Sequence, residues 1–200
     1  MGEPAFLDIL DETVRVMDGL GLPYCFIGSI AKAAHGEPST TGDIDVFVRE
    51  EHAEAALEAF GEVGYETKRD NDQWIYKASR GDTTVDLIFR SSGNVKFDDE
   101  MIGSLRRLTF HDRELPVASA EDLIVIFALA HQAATADYWF TALELLARSE
   151  VDWEYLLQRS RLGPKRLLSL LVYAESIGLA VPPEVMERML GSAHVLRVGA

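Results

Sequence analysis

Cysteine is almost absent from this chain. Cys25 is the single one among 200 residues, so no intrachain disulfide is possible and a reducing compartment is the expected setting. Within Tyr24-Cys25-Phe26-Ile27 it reads as a buried, inert thiol. Long apolar runs are also missing, and none approaches the roughly 18 residues needed to cross a bilayer. The opening MGEPAFLDIL has no basic stretch or cleavage pattern, and Phe6 stands where a myristoylation signal needs Ser or Thr. These absences lead us to expect a soluble cytoplasmic protein with no membrane partner. Basic clusters are scarce as well: 19 Lys and Arg face 33 Asp and Glu, a net charge of −14. Arg106-Arg107 and Lys165-Arg166 come closest to a basic patch, and both are short. An extended nucleic-acid surface is therefore not expected, because phosphate contacts dominate such affinity. The acidity reads as a solvated surface, or as one that attracts cationic substrates or a basic partner.

What the chain does have is hydrophobic residues in 48% of positions, enough for a packed core in one generous domain or two small ones. Phe6, Ile9, Leu10, Val14 and Met17 recur at helical spacing, stopped by Gly19 and Gly21. Strands are expected at 24–27, 43–48, 65–69, 74–79 and 83–89, with Gly81-Asp82 turning the last two. Short helices fit 30–35 and 51–60, and 105–110 with 114–117 suggests a hairpin around His111-Asp112. Beyond Ser119, a helix N-cap followed by Glu121 and Asp122, the pattern is helical: to about 133, then 137–148, 152–160, 165–177 and 183–190. The chain thus divides into an α/β core over 1–118, including its N-terminal helix, and a helical subdomain over 119–200.

The chemistry concentrates in Gly28-Ser29, Thr41-Gly42-Asp43-Ile44-Asp45-Val46 and Val85-Asp86-Leu87. Alternation along a strand puts Asp43 and Asp45 on one face and Ile44 and Val46 on the other. Two such carboxylates repel each other, and a divalent cation relieves that cost. Asp86 is a lone acid in an apolar strand, which is costly unless it has a purpose. A sheet pairing these strands gathers three carboxylates able to hold metal and to accept a proton. Gly28-Ser29, between a strand and a helix, lets a phosphate approach the backbone. Each piece alone is common; their order and spacing carry the argument.

The run from Tyr24 through Pro38, with Thr41-Gly42-Asp43-Ile44-Asp45-Val46, resembles the signature of minimal nucleotidyltransferases of the DNA polymerase β superfamily. It is similar to the branch containing abortive-infection and toxin–antitoxin members, and Glu121-Asp122-Leu123-Ile124 resembles the start of that branch's first C-terminal helix. The resemblance implies a mixed-sheet core with a C-terminal helical subdomain. It also implies transfer of a nucleoside monophosphate from an NTP to a hydroxyl, with two Mg²⁺ ions and pyrophosphate leaving. Asp43, Asp45 and Asp86 then serve as metal ligands and catalytic residues, Asp86 helping to deprotonate the acceptor, and Gly28 and Ser29 bind the nucleotide. The acceptor is a protein side chain, an RNA end or a small hydroxylated molecule, and a cognate partner protein is possible. Departures from the pattern are Ser29 for a second Gly, Ser39 for Arg, Phe127 for Lys and Phe140 for a second Asp beyond Asp137. They motivate a second reading, a non-catalytic nucleotide sensor or antitoxin-like module. A third is an unrelated α/β protein whose acidic pair caps a strand. Trp74, Trp139 and Trp153 are expected in packing rather than base stacking, and His131 in helix packing. His35 should finish a short helix, and Lys32 and Lys77 read as solvated lysines that could alternatively contact a triphosphate.

Overall fold

The computed structural model describes residues 3–38, 42–132 and 135–195, so Ser39, Thr41 and the expected helix end at 133 lie outside the described residues. The chain clusters into two compact units. One comprises Met1–Ser91 with Lys96–Ala118, the other Ser92–Val95 with Ser119–Ala200.

The first unit is built on a seven-stranded mixed sheet. Its strands are β1 (Tyr24–Phe26), β2 (Asp43–Val48), β3 (Glu66–Asn71), β4 (Ile75–Arg80), β5 (Thr83–Ile88), β6 (Arg106–Phe110) and β7 (Arg113–Val117), in the order β3-β4-β5-β2-β1-β7-β6. β2 pairs with β5, and β1 with β7, in parallel; the remaining neighbours are antiparallel. Two-residue turns close two hairpins, and His111 and Asp112 both take positive φ as such a turn requires. The central strands carry the core: Cys25, Phe26, Ile44, Val46, Phe47, Val85 and Leu87 are all sealed from solvent. Helix α1 (Glu3–Leu20) buries Phe6, Leu10, Thr13 and Met17. The expected Ile9 and Val14 are only partly covered, because the seam drifts through Thr13, whose hydroxyl is satisfied by the Ile9 carbonyl at 2.8 Å. Helices α2 (Gly28–Ala34), α3 (Ala53–Glu62) and α4 (Asp99–Ser104) complete this unit. The sequence reading gave α4 no helix, although Asp98 caps it by accepting the Met101 N–H at 2.9 Å.

The second unit is helical: α5 (Ala120–Ala130), α6 (Asp137–Arg148), α7 (Trp153–Ser160), α8 (Pro164–Ser176) and α9 (Pro183–Val195). Helix α5 is buried from Ala120 to Ala128, as its nearly continuous apolar sequence demands. It ends before the expected position because Thr135 donates its hydroxyl to the Ala130 carbonyl at 2.8 Å and accepts the Gln132 N–H at 2.9 Å. Asp122 and Arg159 form an ion pair at 2.7 Å with no exposed side-chain surface on either. Tyr155 and Ser119 donate hydroxyls to Asp122 Oδ2 at 2.8 and 3.1 Å. Glu121 accepts the Asp152 N–H at 2.7 Å, which ties the start of α5 to the cap of α7.

Packing was expected for all three tryptophans, and Trp74 departs from it. It is 43% exposed because it sits in the β3–β4 turn at the sheet edge, its N–H bonded to the Asn71 carbonyl at 3.1 Å.

Candidate active site

Strand register decides which charged side chains meet. Asp45 on β2 stands directly opposite Asp86 on β5, and Asp86 stands opposite Lys77 on β4. Lys77 is in turn opposite Lys68 on β3, so one row across the sheet reads Asp45, Asp86, Lys77, Lys68. Asp43 falls two residues earlier, opposite Thr84, on the same face and exposed. The structure therefore brings Asp45 and Asp86 together as cross-strand neighbours, with Asp43 at the open end of the same strand.

Lys77 was expected to be solvated. Instead its Nζ donates to both Asp86 oxygens, at 2.7 and 2.8 Å. The signal for this pairing is in the sequence: a two-residue turn at Gly81-Asp82 sets Arg80 opposite Thr83, and counting back places Lys77 opposite Asp86. Lys32, in α2, is partly buried and has an interaction of its own.

Gly28 opens α2 with φ of +59°, and a Cβ added there would lie 2.0 Å from an Asp45 carboxylate oxygen. Both the left-handed backbone and the close approach require glycine. The Ile27 N–H donates to the Asp45 carbonyl at 3.1 Å, and the Ser29 N–H donates to the Asp45 carboxylate. The Gly28-Ser29 turn thus holds the Asp45 carboxylate through the Ser29 backbone N–H. His35 ends α2 as expected, its Nε2 lying 2.9 Å from the Ala118 carbonyl oxygen.

The electrostatics are strained. Burial, then the charges of Asp86 and Asp43, push the Asp45 carboxyl up to about 7, against the opposing pull of Lys77 and the Ser29 N–H. Burial also raises Asp86, while its bond to Lys77 works in the opposite direction. Lys68 is paired with Asp70, so the single ammonium of Lys77 faces the three carboxylates Asp43, Asp45 and Asp86 and does not neutralise them. Hard carboxylate oxygens in such a deficit suit a divalent cation, and Mg²⁺ takes only one or two protein carboxylates, filling its other positions with water and phosphate oxygens. That habit matters because, among the described residues, no three His, Cys, Asp or Glu side chains are gathered closely enough to hold a metal by themselves.

The model of a family described as uncharacterised nucleotidyltransferases matches residues 28–177, from Gly28 through all three acidic residues and into α8. The chain belongs to that family. It is a nucleotidyltransferase, and its mixed sheet with helical layers is the nucleotidyltransferase fold of the resemblance drawn from the sequence. It resembles the solution structure of the antibiotic-resistance factor ANT(2'')-Ia with a TM-score of 0.58 at 15% identity, over 88% of this chain and 100% of the other. The structure of ANT(2'')-Ia with adenylyl-2''-tobramycin gives 0.51 at 19% identity, over 86% and 98%. Lincomycin-bound LnuA, a lincosamide antibiotic adenylyltransferase, gives 0.51 at 16% identity, over 74% and 99%. At these identities the likeness is one of fold. No curated protein matches the chain. Among the described residues, no helix is long and apolar enough to cross a membrane.

Proposed function

We propose that this nucleotidyltransferase moves a nucleoside monophosphate from an NTP to a hydroxyl of a small molecule, using Mg²⁺. The observation that carries the reading is the facing pair Asp45–Asp86 beside a glycine that no other residue can replace without displacing Asp45. Asp43 and Asp45 would hold the metal, and Asp86 would share in that and receive the acceptor's proton. Bound Mg²⁺ would supply charge neutralisation on the phosphate oxygens. The Ser29 hydroxyl donates to a phosphate oxygen, and Lys77 fixes the Asp86 carboxylate in the row. The acceptor oxygen bonds to the α-phosphorus, the bond from that phosphorus to the bridging oxygen breaks, and pyrophosphate leaves. Asp86 takes the hydroxyl proton.

A small hydroxylated acceptor suits a chain of charge −14 better than a long polyanion such as RNA, since the acidic field repels phosphates not screened by metal. The neighbours ANT(2'')-Ia and LnuA, captured with adenylyl-tobramycin and lincomycin, take acceptors of this kind. The test is calorimetric titration with each NTP and Mg²⁺, followed by a screen of hydroxylated small molecules for pyrophosphate release. Wild type should bind and turn over, Asp43→Ala/Asp45→Ala should lose metal-dependent binding, and Asp45→Asn should lose turnover. Turnover retained in Asp45→Asn would sink the assignment. Metal-dependent binding with no product from any acceptor would support the nucleotide-sensor reading, which the cationic grip on Asp86 and Phe127 in place of Lys favour.

A further inference from the structure

Several residues left over from the nucleotidyl-transfer reading meet in the helical unit. An open cleft of about 540 Å³ is lined by His131 after α5, Trp139 and Phe140 of α6, and Lys165, Arg166 and Tyr173 of α8. Its volume falls in the range of small-molecule sites. Trp139 is the centre of an aromatic wall: its ring lies 5.3 Å from the His131 ring and 6.4 Å from Tyr173, the latter nearly edge-on. Phe140 and Tyr173 are 55% and 41% exposed, so the wall faces water rather than a core. This patch of apolar rings adjoins the exposed cations Lys165 and Arg166.

Among the described residues no ion pair joins Lys165 or Arg166 to a carboxylate, a condition they share with Arg15, Arg106 and Arg107, whereas Arg49, Arg69, Arg80, Arg90, Arg113, Arg159 and Arg188 each sit against one. Lys165 and Arg166 also occupy the first turn of α8, which holds no acidic residue. Positive side chains at that end oppose the helix dipole, whereas α5, α6, α7 and α9 all place acids there. A local rule broken without compensation inside the protein points to compensation from outside it.

We infer that the cleft between α6 and α8 binds a small aromatic anion, its ring stacked on Trp139 with Tyr173 meeting it edge-on, and its carboxylate or phosphate held by Lys165 and Arg166. Ring stacking supplies affinity over a wide, shallow wall, and the two cations supply the choice of charge. A cationic ligand is repelled here. The inference rests on the cleft's own residues and not on the proposed acceptor.

A matched series tests this: naphthalene-2-carboxylate, 2-naphthyl phosphate, 2-naphthylmethanol and 2-naphthylmethylammonium, titrated by calorimetry in EDTA against the full chain. The two anions should bind at least about tenfold more tightly than the neutral alcohol, with the ammonium weakest, since a charge-assisted contact outweighs a neutral one. The order of carboxylate and phosphate distinguishes the two anion sources. Lys165→Gln/Arg166→Gln, at two exposed positions, should reduce both anions to the level of the alcohol. Anion-induced change in tryptophan fluorescence should vanish in Trp139→Phe while Trp74 and Trp153 remain. Equal binding across the series, tighter binding of the ammonium, undiminished anion binding in the double variant, or no binding by any member at millimolar concentration would each overturn the inference.

Discussion

The two units treat a buried carboxylate in opposite ways. In the helical unit Asp122 is enclosed with a guanidinium and two hydroxyls, from Arg159, Tyr155 and Ser119, so its charge faces a buried cation and its Oδ2 accepts both hydroxyls. In the sheet unit Asp45 and Asp86 confront each other, with Lys77 clasping Asp86 and one backbone N–H reaching Asp45. A carboxylate kept for structure is neutralised by its own fold, because an unpaired buried charge is too costly. A row left in deficit is stable only at some cost, and such deficits cluster where a protein binds or reacts. The contrast separates Asp122, which belongs to the architecture, from Asp45 and Asp86, where a proton or, in the proposed reaction, a bound cation makes up the missing charge.

The largest expected effect is at the satisfied site. Arg159→Met strands Asp122 in the interior and should lower stability by about 3–5 kcal/mol. Adding Asp122→Asn should restore most of that loss, because the remaining groups are neutral and can bond to one another. Urea unfolding of both variants checks this; a single variant as stable as wild type would break the comparison.

At the strained site the sign reverses. The folded pKa of Asp45 lies above its unfolded value, so between roughly pH 4 and 7 the folded protein holds more protons than the unfolded chain. That contribution is present below the unfolded pKa, and stability of the metal-free protein should fall as pH rises through the window. Asp45→Asn removes the share of the dependence that belongs to Asp45 and should raise stability in EDTA at about pH 8 by roughly 1–3 kcal/mol. The same variant should be inactive, a trade between stability and activity. Melting curves in EDTA at both ends of the window provide the measurement: wild type should shift more than the variant, in which the raised Asp86 remains.

How far the sequence foretold this arrangement depends on the range of each interaction. Alternation in Asp43-Ile44-Asp45-Val46 and the turn at Gly81-Asp82 are local, and β2, β4 and β5 follow from them within a residue or two at each end. The parallel pairing of β2 with β5, which sets Asp45 opposite Asp86, joins strands about forty residues apart and is written in no short motif. The sequence raised convergence of three carboxylates as a condition; the register sets Asp45 opposite Asp86 and leaves Asp43 opposite Thr84. Arg159 was invisible for the same reason, since nothing in Glu154 to Ser160 shows that one arginine turns inward to Asp122. The early end of α5 depends on a hydroxyl five residues on, and the cleft on α6 and α8 needs side chains from three elements. Helical periodicity gave α8 its span but not its function. Its two leading cations carried the clue, because they contradict the preference of a helix start.

Lys77 gives the smallest effect and the finest comparison. It is the cation that makes the sheet row partly resemble the Asp122 site, yet its side chain is 31% exposed and its bond to Asp86 is reached by water. Lys77→Met should therefore cost only about 0.5–1 kcal/mol in EDTA, nearer to a surface pair than to a buried one. The loss should shrink when Mg²⁺ and an NTP are added, because a bound cation then supplies the charge that Lys77 supplied. Arg159→Met should show no such recovery, since Asp122 is enclosed within the helical unit with its own cation and two hydroxyls. If both variants respond alike to Mg²⁺ and NTP, Lys77 is architecture in the same sense as Arg159, and the sheet row is not in deficit. If only Lys77→Met recovers, its ammonium stands in for the ligand's charge in the resting protein.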